Sequence, residues 1–427
     1  LLYFLSVYPS IRLSVYPCCH RAAMLANVLR RSSLPKHDDN RSMQSLLYKL
    51  YLLIAVLMVS YGAIFTLLAE IRNQFGFSET SIGLIGGMAF ISGFIAQLSV
   101  GKRIDQGQGR LVLRLGLALA LAGSVWMIFA DTLLEWLLSR GLLGFGAGCI
   151  RPAVRRLVLI IDPGEVGKNM GLLSSYEMAG FLLGPVAASV VATWSSMYVT
   201  FIILSLMLLA MIPIVVRADI PGSEDAELDG IHLELLASPA MRSCLSCGIA
   251  FYITVGVFEA IWAVFLADLG ASQLFIGLTM SLFAVPMLVV APRAGTLAQR
   301  RGPLNVTIFS IGTAALCMLT YGFLESIILL CIPLAIHSAA DAFTMPANQL
   351  AVGMASGKRA LATGQGLFGA VGMAVSAVAA IGGGMLYEQF GASGLWLFSA
   401  LLMFVCLIYA WFTGSELRQA VAFDESN

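Results

Sequence analysis

From Leu50 onward the chain alternates long stretches without a single charged residue with short polar interruptions. Uncharged runs cover Leu50–Ala69, Thr80–Gly101, Leu269–Pro292, Gly302–Leu324, Ala360–Tyr387 and Gln389–Ser415. Each exceeds the roughly 18 apolar residues that a helix needs to cross a bilayer. Within lipid a backbone must satisfy its own hydrogen bonds, so such runs form helices. Segments of about ten residues with alternating hydrophobicity, the mark of a membrane barrel, do not occur. The interval Met178–Val216 is long enough for the end of one helix and the whole of the next. The pattern predicts twelve spans, over 48–69, 80–100, 111–130, 133–158, 168–193, 197–216, 243–267, 272–292, 304–323, 326–346, 360–386 and 392–413.

Composition agrees: 11% of residues are charged and mean hydropathy is +0.88, whereas soluble domains carry about 25% charge. Lys and Arg in the short connections set orientation. Arg41, Lys49, Lys102, Arg103, Arg110, Arg114, Arg151, Arg155, Arg156, Lys168, Arg217, Arg242, Arg293, Arg300, Arg301, Lys358, Arg359 and Arg418 fall on one side, with Arg72 alone on the other. Both termini are therefore expected in the cytoplasm. Arg217–Arg242 is short and acidic, with Pro221, Gly222 and Gly230, and reads as a linker. Residues 1–42 read as a cytoplasmic tail unlike the rest. The chain opens on Leu1, and the expectation is that Met43 or Met24 is the natural start.

The two halves echo one another. Ser78, Ile82, Gly83 and Gly101 recur as Ser272, Ile276, Gly277 and Gly295, each 194 residues later. In both places an apolar helix is expected to end in a polar turn of Gly and Arg, "GKRIDQGQGR" at Gly101–Arg110 and "GTLAQRRGP" at Gly295–Pro303. "GLLSSYEMAG" at Gly171 similarly matches "GLFGAVGMAV" at Gly366. The domains expected are a bundle over 43–216, the linker 217–242, a second bundle over 243–415 and a tail over 416–427.

Those two turns resemble the characteristic loop of the major facilitator superfamily, with Arg103 where the family has Leu and Gln106 where it has Arg. "RGLLGFGAG" at Arg140–Gly148 is similar to the family's fourth-helix motif. "GFLLGP" at Gly180–Pro185 is similar to a fifth-helix motif of its drug:proton antiporters. The resemblance implies an all-α membrane fold of two pseudo-symmetric six-helix bundles with a substrate site between them near mid-membrane. It implies a conformational latch at Gly101, Asp105, Arg110, Gly295 and Arg300, and close helix packing at Gly144, Gly148, Gly180, Gly184 and Pro185.

Ionisable groups at membrane depth are costly and point to pathways or proton carriers. Glu177, Glu259, His337 and Asp341 lie well inside helices, and Arg140 is deep in the fourth. His337 and Asp341 are four residues apart, so they share a helix face and can exchange a proton. These five residues are the candidates for proton coupling, against the alternative of satisfied interhelical hydrogen bonds. Trp262 stands one turn from Glu259 and Tyr176 adjoins Glu177, which suggests an aromatic, acidic cavity suited to an amphipathic or cationic solute. Tyr61 and Gln365 are further candidates for its lining. Of the eight Cys, Cys149, Cys317, Cys331 and Cys406 read as apolar thiols inside helices, and Cys244 and Cys247 form a C-x-x-C with no second ligand pair, so no metal or cofactor is expected.

The chain carries no P-loop, G-x-S-x-G or H-E-x-x-H motif, so transport driven by a gradient is expected, not catalysis. The net charge of +1 argues against nucleic acid as a partner. The partners expected are a small-molecule substrate, protons and the bilayer, with the protein working as a monomer in the plasma (bacterial inner) membrane. The first reading is proton-coupled export of a small organic or amphipathic solute. A proton-coupled uptake symporter on the same scaffold is the alternative, and a non-transporting membrane sensor is the third.

Overall fold

A computed structural model of the protein describes residues 37–161, 166–218, 233–357 and 361–419. The expectations for the start of the chain, for most of the acidic linker and for residues 420–427 lie outside the described residues. Contacts divide the chain into Leu1–Tyr48 and Lys49–Asn427. Of the first unit, only the opening turns of the first helix are described. The second holds the membrane helices, from the body of the first to the last.

The elements are α1 (His37–Phe75), α2 (Glu79–Arg103), α3 (Gly109–Trp126), α4 (Leu133–Ile161), α5 (Val166–Trp194) and α6 (Met197–Arg217). Then come α7 (Pro239–Asp268), α8 (Gln273–Arg301), α9 (Pro303–Tyr321) and α10 (Ile327–Ser356). The helical stretch Leu361–Thr413 breaks at Gly391, whose φ of 66° no helix allows. It is thus two helices, α11 (361–390) and α12 (392–413), and the described residues hold twelve long helices, of which all but α8 are long and apolar enough over their described residues to cross a membrane. Ser196, Ser238, Ser272 and Ser326 cap α6, α7, α8 and α10, each accepting from a backbone N–H three residues on. At the start of α4, Thr132 and Glu135 form a reciprocal capping box, with bonds of 3.4 and 2.9 Å.

The polar turns differ from expectation. "GKR" continues α2, and Ile104–Gln108 forms a π-helical turn in which Gly107, at φ 85°, breaks the path. "GTLAQRR" continues α8 to Arg301, and the reversal falls on Gly302, at φ 87°. Lys, Arg and Gln sustain a helix in water as well as apolar residues do in lipid. The helices therefore end where a glycine permits positive φ, not where charge begins.

The expected packing motifs bring helices close. A side chain on Gly144 would meet Ala89 O of α2 at 2.6 Å, and one on Gly148 would meet Gly93 O at 2.7 Å. On α5, Gly184 would meet Val59 O of α1 at 2.6 Å, and Gly180 abuts Ala55 O. Gly144→Leu should therefore force α2 and α4 apart and cost about 1–3 kcal/mol, the range for overpacking. A purified variant melting several degrees below wild type is the expected result; an unchanged melting curve would refute the close contact.

Across the halves α2 packs on α11 and α5 on α8. These two contacts interchange when the halves are exchanged, as a pseudo-two-fold relation requires. Both are tight toward the Arg72 end: Gly83 against Ala380 O and Gly277 against Pro185 O, at 2.5 and 2.6 Å for an added Cβ. Toward the basic end the same helices separate. Gly171 of α5, Gly295 of α8 and Gly366 and Gly369 of α11 have open space where a Cβ would stand. Among the described residues, then, the close contacts between the bundles lie at the Arg72 end and the glycines at the basic end stand clear.

Candidate functional site

Where the helices begin to part, a cavity of about 130 Å³ lies between the halves. Met178, Phe181 and Pro185 of α5 form one wall, and Phe258, Glu259 and Trp262 of α7 another. α8 adds Thr279, Met280, Phe283 and Met287, and α10 adds Leu334 and Asp341. The lining is aromatic and thioether-rich, broken by two carboxyl groups.

Asp341 is buried and lies 3.6 Å from Nε2 of His337, one turn earlier on α10. Nδ1 of the same imidazole is 3.1 Å from the Tyr321 hydroxyl at the end of α9. Around the imidazole stand Phe258, Phe283 and Tyr321, and Trp262 and Trp396 close the cluster behind them. Trp262 stacks on Phe258 with ring centroids 4.6 Å apart, and its indole N–H donates to Thr279 Oγ1 at 3.2 Å. That packing fixes the rotamers around both acids.

Arg140 is completely buried on α4, with its guanidinium over the rings of Tyr61 at 4.7 Å and Phe65 at 4.6 Å. None of its three nitrogens has a hydrogen-bond partner among the described residues, nor has Oε2 of Glu259. A buried guanidinium held only by ring faces is an expensive arrangement. Glu259 and Tyr61 are both within electrostatic reach of it, so a charge on α4 and a carboxyl on α7 interact across the two halves.

Glu177 is placed differently. Its carboxylate accepts from Arg151 Nε at 3.2 Å and from Arg155 Nη2 at 3.3 Å, tying α5 to α4 within one half. It is absent from the lining of the 130 Å³ cavity, although its neighbour Met178 belongs to it. Tyr176 packs on Tyr51 of α1, with centroids 5.5 Å apart. Gln365 donates to Gln349 O at 2.7 Å near the open end. Tyr61 lines a small separate cleft with Gln97, Arg151 and Met373. Of the four residues expected in the substrate cavity, the structure puts Trp262 on this wall.

The latch residues sit at the open end. Arg110 donates to Val216 O at 3.4 Å, alongside Arg114 at 2.6 Å, so both arginines serve one C-terminal carbonyl of α6 in their own half. Arg300 is exposed. The surroundings of Gly101 and the side chain of Asp105 lie outside the described residues.

The opposite end holds a cluster that sequence reasoning missed. Arg72 pairs with Asp268 through two bonds of 2.5 and 3.0 Å and with Glu79 at 3.3 Å. Tyr387 donates to Asp268 at 2.8 Å, Glu388 accepts from Thr80 N at 3.0 Å, and Gln273 donates to Thr66 O at 2.8 Å. The bonds of Arg72 to Asp268, of Glu388 to Thr80 and of Gln273 to Thr66 each join one half to the other. The signal in the sequence was Arg72 itself, a lone cation among acids on its side.

The family model described as Major Facilitator Superfamily matches residues 50–246 and 244–422. Multidrug resistance protein MdtG of Klebsiella pneumoniae (strain 342) is 25% identical over 278 residues, 62% of this chain and 67% of its own. Quinolone resistance protein NorA of Staphylococcus aureus (strain Mu50 / ATCC 700699) is 26% identical over 144 residues, 34% of this chain and 37% of its own. Among solved structures, a mutant of nucleoside transporter NupG superposes with a TM-score of 0.76 at 14% identity, over 86% of this chain and 99% of the other. A bacterial homolog to the human lysosomal transporter Spinster, inward-facing and occupied, gives 0.75 at 14% identity, over 87% and 96%. At such identities the likeness is one of fold.

Proposed function

The chain belongs to the major facilitator superfamily and is a multi-pass membrane transporter, not an enzyme; from that premise we propose that it exports amphipathic organic cations in exchange for protons. The cavity at the meeting of the halves carries this reading. It offers ring faces and Met sulfur to an apolar body and two carboxyl groups, Glu259 and Asp341, to a positive charge. Relatives named for multidrug and quinolone resistance support the same direction.

In this reading the Arg72 end faces outward, following the Lys and Arg asymmetry, and both termini lie in the cytoplasm of a plasma or bacterial inner membrane. The described conformation is then closed outside and open inside, ready to take solute from the cytoplasm. A cation enters among Phe181, Phe258 and Phe283 and meets Asp341 and Glu259 in their charged forms. The bundles rock, the outer end opens, and protons displace the cation. Exchange results because cation and proton favour the same carboxyl groups but the two conformations open to different sides. Arg140 facing Glu259 across the halves supplies a charge whose partner changes with that rocking. Glu177, paired with two arginines, holds a fixed charge here and exchanges a proton only when those pairs part.

The test is the protein in liposomes with an internal pH dye and an imposed gradient. A panel of lipophilic cations, sugars and organic acids is then added to one side. Cations that drive protons the opposite way are the expected result. Protons moving with the solute would replace export by symport, and solute flux without proton movement would remove the coupling role from the acids altogether.

A further inference from the structure

Tyr321 belongs to none of the sequence motifs and does not line the cavity, yet it is completely buried at the last position of α9 with its hydroxyl on the imidazole of α10. Among the described residues the hydroxyl meets no acceptor other than Nδ1 of His337, and buried polar groups are nearly always partnered. If the phenol donates, Nδ1 is the lone-pair nitrogen, and neutral His337 carries its hydrogen on Nε2. That nitrogen is the one 3.6 Å from Asp341, and it lacks a hydrogen-bond partner of its own. The reverse assignment leaves the phenol hydrogen with nothing to meet and, once the carboxyl has lost its proton, turns two lone pairs, Nε2 and the carboxylate, toward each other.

We propose that Tyr321 is a positioning residue of the coupling site: its hydroxyl pins His337 in the Nε2–H tautomer, so that the imidazole is ready to donate to Asp341 when the carboxyl loses its proton. This rests on the reading of Asp341 as a coupling carboxyl. The groups facing the pair are few. Asp341 shares α10, Tyr321 and the Cys317 thiol come from α9, and Glu259 of α7 lines the same cavity. Phe258, Trp262, Phe283 and Trp396, from α7, α8 and α12, contribute rings without titrating groups. With so little else to hydrogen-bond, the phenol decides the tautomer. A 3.6 Å gap, longer than a hydrogen bond, leaves the donor poised for the carboxylate.

Tyr321→Phe keeps the ring against Phe258, Trp262 and Trp396, so the variant tests the hydroxyl and not the packing. Protein carrying isotope-labelled histidine, four residues in all, reports the His337 tautomer by NMR once His337→Gln has identified its signal. The expected result is the Nε2–H form in wild type and a mixture of tautomers in Tyr321→Phe. The pH profile of cation flux should move by about half a unit or more. His337→Gln, whose amide reaches the Nε2 position, should retain more coupled flux than His337→Asn, and adding Tyr321→Phe to it should change nothing further. An Nδ1–H tautomer in wild type, a tautomer indifferent to Tyr321→Phe, or a shifted tautomer with a superimposable pH profile would each overturn the proposal. Loss of the coupling reading itself would show elsewhere, as Asp341→Asn leaving proton exchange intact.

Discussion

Asp341→Asn should reduce pH-driven accumulation of solute to no accumulation at all while leaving solute-for-solute exchange running. If one proton is exchanged per solute, a gradient of one pH unit sustains about tenfold accumulation, the ratio that 1.4 kcal/mol supports. Asparagine keeps the volume of the side chain and Glu259 still offers the cation a carboxylate, so the solute binds more weakly and rocking survives, but asparagine cannot carry the proton. The accumulation ratio should therefore fall to about one, read from labelled solute in liposomes, and the internal dye should register no proton counterflow. Glu259→Gln should give a smaller loss, because Asp341 still titrates. A variant lacking the Asp341 carboxyl that still accumulates solute tenfold would move coupling to another residue, with Glu259 the first to examine.

How far such residues can be found without a structure depends on sequence distance. His337 and Asp341 are four apart on one helix, and Glu259 and Trp262 are three apart on another, so helical geometry alone put each pair on a common face. Nothing local says that Tyr321, sixteen residues away on the neighbouring helix, completes the first pair, or that Arg72 reaches Asp268 across 196 residues. Glu177 shows the same limit. Depth in the membrane marks it as a candidate carrier, while Arg151 and Arg155 count among the basic residues that set orientation. In the structure the three form one ion-paired group, because helix depth is legible in a hydropathy pattern and the facing of two helices 22 to 26 residues apart is not.

The fold was more readable than its edges. Runs without charge marked the spans because lipid excludes charge along a whole helix. They could not mark helix ends, because a helix leaving the membrane needs no change of conformation at the boundary. α2 and α8 run past their first basic residues and stop at Gly107 and Gly302. The repeat at an offset of 194 residues was informative for a further reason. Gly83 and Gly277, matched in sequence, hold the two cross-half contacts at the Arg72 end, and Gly171 and Gly366, also matched, stand apart at the basic end. The internal symmetry thus marks where the bundles touch and where they separate, which is the geometry alternating access requires.

That geometry makes the Arg72 cluster the place where the resting conformation is set. The guanidinium is fixed by Asp268 of α7 and Glu79 of α2, and Tyr387 of α11 holds Asp268 from the other side. Arg72 is 13% exposed and Asp268 37%, so water screens part of the attraction. About 1 kcal/mol is a fair magnitude for the pair. Arg72→Ala should accordingly shift the balance toward the outward-open state by roughly fivefold. Arg72→Glu should shift it further, since it sets a third carboxylate beside Asp268 and Glu79, and Asp268→Arg in that background should restore much of the closure. Spin labels in the turns at Asp131 and Glu325, one in each half at this end, would report the change as a longer distance population, in a background cleared of reactive thiols. In the proposed export cycle the solute is loaded from the open inner side, so the same variants should bind it more weakly from the cytoplasmic face in proportion to the population lost. Unchanged distances in Arg72→Glu would mean that the glycine contacts of Gly83 and Gly277, and not the ion pair, hold the outer end shut.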